Sequence, residues 1–124
     1  MNPTHTRLTV LVDNNALEPD NTAQAASPRL AAEHGWAVWI ESGGQKILFD
    51  TGYSGLFLAN AGRMGIDLLD LDFVVLSHGH LDHTWGLVPL VRHFTGAMIE
   101  EIPHKVPELI AHPYCFYPKE NLPL

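Results

Sequence analysis

Between Ser77 and Gly86 the chain reads SHGHLDHTWG, so His78, His80, Asp82 and His83 crowd three imidazoles and a carboxylate into six residues. In an extended segment, side chains two apart project to the same side. His78 and His80 can therefore meet one cation at about 2.0 to 2.1 Å. Asp82 and His83 are adjacent where the chain turns toward a helix, and can face a second cation a few ångströms away. A pair of divalent ions can hold a hydroxide at neutral pH, because zinc lowers the pKa of bound water to about 7. Attack on an ester, amide, lactone or phosphodiester then becomes feasible. With 8 His and 7 Asp in the chain, H-x-H-x-D-H arises by chance with a probability of about 0.002. That favours metal ligation over a surface loop whose histidines only hydrogen-bond and whose Asp82 caps the next helix.

Other groups are weighed against this cluster. Asp50 closes the apolar run KILFD and precedes Thr51 and Gly52. If its strand neighbours the cluster, its carboxylate can take the second N–H of a ligand histidine, fixing the tautomer and raising basicity; the competing reading is a turn-forming Asp before Gly. His112, before Pro113, can approach the site or be a bland strand-end histidine. His5, His34, His93 and His104 have no partner at ligand spacing and are read as structural or solvent-exposed. Cys115 is read as an inert side chain rather than a thiolate ligand. SGGQK lacks the spacing of a phosphate-binding loop.

These groups need elements to position them. Leu8–Val12 reads as a strand, stopped by the polar, proline-containing DNNALEPDN. Trp36–Glu41 and Lys46–Asp50 read as a hairpin turning at Gly43 and Gly44. Leu56, Phe57, Ala61 and Met64 suggest a short helix over Ser54–Met64 with Ser54 as N-cap. The unbroken apolar run Phe73–Leu76 reads as a strand buried on both faces, with the cluster just beyond its carboxyl end, where α/β sheets hold their sites. Leu87, Leu90, Val91 and Phe94 then mark one helix face, and Pro89 fixes the helix start near Gly86. Glu108–His112 is a last strand candidate. Thr22–Gly35 reads as loop with one helical turn at most, and the proline-rich tail HPYCFYPKENLPL as irregular.

The 124 residues suit one domain, 1–124. A formal charge of -7, with the 7 Lys and Arg scattered, argues against nucleic acid and anionic membrane as partners. A small-molecule substrate is expected instead. A single cysteine, no apolar h-region after the start and no membrane-length apolar stretch lead to a cytoplasmic expectation.

The strings ILFDTG and SHGHLDH, in that order, resemble the metallo-β-lactamase superfamily. The longer string LVDNNAL, AEHGWAVWIESGGQKILFDTG, LANAGRMGIDLLDLDFVVLSHGHLDH and AHP is similar to one branch, the metal-dependent hydrolases that include the dihydropterin-phosphate synthase of methanopterin biosynthesis. The resemblance implies an α/β (α+β) fold: the N-terminal half of an αββα sandwich, a mixed sheet with flanking helices. It implies His78 and His80 on one metal, Asp82 and His83 on the other, Asp50 behind them, and a metal-bound hydroxide that Asp82 positions or deprotonates. Zn2+ is the first expectation for both ions, with Mn2+ or Fe as alternatives. The family's remaining ligands come from a second half, for which only His112 offers a substitute, and its AHP context matches a strand rather than a ligand motif. The resemblance thus implies an incomplete domain whose exposed apolar sheet face pairs with another copy or a complementing chain. The alternative to a hydrolase is an inactive or weakly metal-binding half-domain. Trp85 stands where the family has a small residue, and is expected either to narrow access or to pack beneath the helix.

Overall fold

The computed structural model describes residues 5–16 and 29–118. Five strands run in sequential order across one mixed sheet: β1 Thr6–Val12, β2 Ala37–Ser42, β3 Gln45–Phe49, β4 Phe73–Val75 and β5 Glu108–Ile110. β1, β2 and β3 are antiparallel neighbours, whereas β4 and β5 join in parallel. Gly43 and Gly44 turn the β2–β3 hairpin at φ 58° and 78°, the left-handed values that a two-residue turn needs and glycine takes without strain. Parallel neighbours need crossovers. Helix α1 (Leu56–Arg63) lies between β3 and β4, and α2 (Leu81–Thr84) with α3 (Leu87–Ile99) between β4 and β5. This is an α/β arrangement, as expected.

The core lies where one sheet face meets the helices. Leu11, Trp39, Leu48 and Val74 from the strands join Phe57 and Ala61 of α1 and Leu90 of α3 in one buried cluster. The opposite face carries Leu8, Val10, Val38, Ile40, Ile47, Phe49, Phe73, Val75 and Ile110 in register across all five strands. None of these belongs to the core cluster, and Leu8 is 64% exposed.

Several expectations change in detail. β4 is not buried on both faces: Val74 and Leu76 are buried, but Phe73 and Val75 only half so, because they point to the face away from the core cluster, where no described helix packs. On α3, Val91 is exposed and the buried stripe runs through Leu90 and Ala97 with Leu87 and Phe94 packed beside it. Helix α1 starts at Leu56 behind Gly55, yet Ser54 Oγ accepts from the Leu56 N–H at 3.2 Å. The last strand ends at Ile110, and the tail makes a 3-10 turn over Pro113–Phe116. Residues 29–35 are non-helical. Residues 17–28 and 119–124, parts of the expected loop and tail, lie outside the described residues. Among the described residues, no helix is long and apolar enough to cross a membrane.

Candidate metal centre

The ends of β3 and β4 bring the expected residues together. The Asp50 N–H donates to Val75 C=O at 2.8 Å, which carries the parallel pairing one step beyond β3. There the backbone of Asp50 takes φ 58°, a left-handed value that costs a non-glycine residue on the order of 1 kcal/mol. The turn aims the carboxylate, fully buried, at the segment after β4. Oδ1 accepts from the Ser77 N–H at 2.7 Å, and Oδ2 from Ser77 Oγ–H at 2.6 Å and from His83 Nδ1 at 2.7 Å. Hydrogen bonds to charged groups contribute about 1.5 to 3 kcal/mol each, so this set outweighs the backbone cost.

His83 is therefore oriented by Asp50 as its sequence position suggested, with Nδ1 engaged and Nε2 left for another partner. The His78 Nδ1 lies 2.7 Å from Ser77 Oγ, a contact not anticipated from sequence. The rings of His78 and His80 sit edge-on with centroids 4.6 Å apart, and those of His78 and His83 are 4.2 Å apart. Ligand atoms of Asp50, His78 and His83 all lie within 4.8 Å of one another, a grouping that could hold a metal ion. Burial pushes the His78 imidazole below the usual histidine range, and the His83 and His80 rings push it the same way against Asp50 and Asp82. The neutral form, with a lone pair to donate, is favoured.

Asp82 sits in α2, 7% exposed. Its Oδ2 is 3.6 Å from His83 Nε2 and 3.2 Å from His34 Nε2, while Oδ1 is buried with no hydrogen-bond partner among the described residues. A buried, unpaired carboxylate oxygen is costly. With the nearby His83 Nε2, whose ring is held at Nδ1 by Asp50, this carboxylate offers the donor types that suit a divalent cation. The residues present fit such an ion.

His34 was expected to be structural or solvent-exposed. It is exposed, but it also contacts the cluster through Asp82. Glu33 anchors its segment by accepting from the Tyr53 and Ser54 N–H groups at 3.1 Å and from Ser54 Oγ at 2.6 Å. Gly35 N–H donates to Asn14 Oδ1 at 3.1 Å, and a Cβ at Gly35 would lie 2.6 Å from Asp82 C=O. Only glycine lets these backbones meet so closely. Its sequence signal was the glycine directly after His34, which spacing between histidines does not register.

His112 lines a cleft of about 400 Å3 with Ser77, His78, Gly79, His80, Tyr114 and Cys115. Its Nδ1 accepts from the Tyr114 N–H at 3.1 Å, so it caps the 3-10 turn while facing the same cleft. Trp85 does not pack beneath the helix: it is 48% exposed and stacks on Tyr53, with ring centroids 5.2 Å apart. On α3 the Phe94 ring meets His93 of the same helix and His104 of the segment that follows it, and His5 is exposed just before β1.

Comparison with known proteins places this geometry in context. The model of the metallo-beta-lactamase superfamily matches residues 30–121. An uncharacterized protein of Methanocaldococcus jannaschii is 35% identical over 84 residues, 68% of this chain and 29% of that protein. The 7,8-dihydropterin-6-methyl-4-(beta-D-ribofuranosyl)-aminobenzene-5'-phosphate synthase of the same organism is 34% identical over 90 residues, 68% of this chain and 28% of its own. A crystal structure of a metal-dependent hydrolase of the beta-lactamase superfamily is 40% identical, with a TM-score of 0.52, over 68% of this chain and 27% of that one. A diphosphatase from the PhnP family is 25% identical with a TM-score of 0.54, over 90% of this chain and 43% of the other. The chain thus spans under a third of the length of both curated relatives.

Proposed function

The chain belongs to the metallo-β-lactamase superfamily, and from that premise we propose that it is a metal-dependent hydrolase built around the residues after β4. The observation that carries this reading is the buried Asp82 carboxylate, whose Oδ1 has no hydrogen-bond partner among the described residues and whose Oδ2 lies 3.6 Å from Nε2 of His83, a ring already engaged at Nδ1 by Asp50. In this reading His78 and His80 hold one divalent ion, and Asp82 and His83 a second. Zn2+ suits the nitrogen-rich donors, with Mn2+ or Fe as the other candidates. When bound, the ions supply Lewis acidity and a hydroxide nucleophile near neutral pH. Asp50 keeps His83 in one tautomer, and Asp82 orients or takes the proton of the attacking water. His112 lines the same cleft as His78 and His80, where a substrate or a further ligand would enter.

The substrate is read as a small molecule with an ester, lactone or phosphoester bond. Support for the phosphoester comes from two relatives, one named as a phosphate synthase and one as a diphosphatase. A cytoplasmic setting completes the reading, resting on the single cysteine.

A second reading is favoured by the uncovered sheet face: a half-domain, inactive or weakly metal-binding, that needs another copy or a complementing chain on that face. Metal content after dialysis and hydrolysis of carboxylic-ester and phosphodiester probes separate the two. The hydrolase reading expects two ions per chain and turnover lost in His80→Ala and His83→Ala. A folded protein that retains no metal would sink it.

A further inference from the structure

Ser77 stands between the buried Asp50 carboxylate and the His78 ring, 2.6 Å from Oδ2 on one side and 2.7 Å from Nδ1 on the other. A hydroxyl has one proton to give. The carboxylate can only accept, so a short Ser77–Asp50 contact requires that proton to point at Asp50. Ser77 Oγ then has only lone pairs for His78, and the His78 Nδ1 must carry the hydrogen. The same reasoning applies directly to His83, whose Nδ1 lies 2.7 Å from the same Asp50 oxygen. Although Ser77 is open to solvent, its own N–H is tied to Asp50 Oδ1 at 2.7 Å, which seats the hydroxyl over the carboxylate before any water can compete.

We propose that Ser77 is a positioning residue that passes the orienting effect of Asp50 on to His78, so that one buried carboxylate fixes two imidazoles as Nδ1–H tautomers with both Nε2 lone pairs free. Its purpose rests on the metal-centre reading above, whereas the tautomers themselves do not. The bland role for Ser77 is to satisfy Asp50 alone, leaving His78 free to exchange tautomers.

Long-range 1H–15N correlation spectra of the full chain, with 15N-labelled histidine and both rings neutral, separate these roles. Wild-type protein should give the Nδ1–H pattern for both rings. Ser77→Ala keeps the backbone bond to Asp50 and should release His78 into a tautomer mixture while His83 stays Nδ1–H. Ser77→Thr should restore His78, and Asp50→Asn should disturb both rings. Competition with a chelating dye should show zinc held about tenfold more weakly in Ser77→Ala. A His78 pattern of Nε2–H in the wild type, or one unchanged in Ser77→Ala, overturns the proposal. If the tautomers follow the pattern and zinc is never retained, the relay stands and the metal reading fails. If zinc is retained and the tautomer does not respond, the relay fails and the metal reading stands.

Discussion

Asp82 is the residue on which the centre turns, because its two oxygens have different surroundings: Oδ2 faces His34 and His83, and Oδ1 faces no protein donor. A His34 Nε2–H donating to Oδ2 would hold the carboxylate rotamer and leave Oδ1 for a cation, the usual work of an outer-shell group. His34→Ala should therefore weaken the second equivalent of zinc by about tenfold and leave the first unchanged, as measured by titration against a chelating dye. Equal affinity of both equivalents in wild type and variant would remove His34 from the centre. The candidate donors were legible in the sequence because His78, His80, Asp82 and His83 are neighbours. His34 and Ser77 were not, because their partners Asp82 and Asp50 are distant in the chain and only folding supplies the 3.2 and 2.6 Å separations.

At the scale of elements, the centre depends on how two loops lock. Thr51 N–H and Oγ1–H both donate to His83 C=O, at 2.8 and 2.9 Å, and Gly86 N–H donates to Gly52 C=O at 3.2 Å. The loop after β3 is thereby fastened to α2 and to the start of α3, so Asp50 and His83 cannot drift apart. Gly86 makes that fastening possible: a Cβ there would fall 1.9 Å from Thr51 C=O and 2.8 Å from the buried Phe57 ring. Neither neighbour is the free end of a flexible chain. Gly86→Ala should destabilise the fold by about 3 kcal/mol in urea unfolding. Wild-type stability in that variant would show that α3 can shift away at little cost. The hairpin, α1 and α3 were readable from turn residues and periodicity. The exposure of Val91 was not, since a helical period defines a stripe but leaves its rotation to the surface it meets.

For the whole molecule, the governing feature is the contrast between the two sheet faces. One packs under α1 and α3, while the other carries nine apolar side chains in register, with Val10 and Ile110 near its two ends. An apolar face of this kind marks a site of association. Sedimentation should find wild-type protein in concentration-dependent oligomers, and Val10→Lys with Ile110→Lys, both at positions already exposed, should shift it toward monomer. A wild-type monomer at every concentration, without binding of an apolar dye, would count against a second layer on this face. The relatives with which the chain shares about a third of its aligned residues are more than three times the length it covers in them.

The sequence by itself determined the family, the α/β order of elements and the candidate donor types, because these are written in local runs: apolar strands, a glycine turn, and three histidines and an aspartate in six positions. Tertiary structure decided which atom of each donor is engaged and which is free. It also brought His34 to Asp82 and Ser77 to Asp50, and turned Trp85 outward onto Tyr53. The physical reason is range: periodicity and propensity act over a few residues, whereas a hydrogen bond between distant residues exists only after the sheet has set their separation.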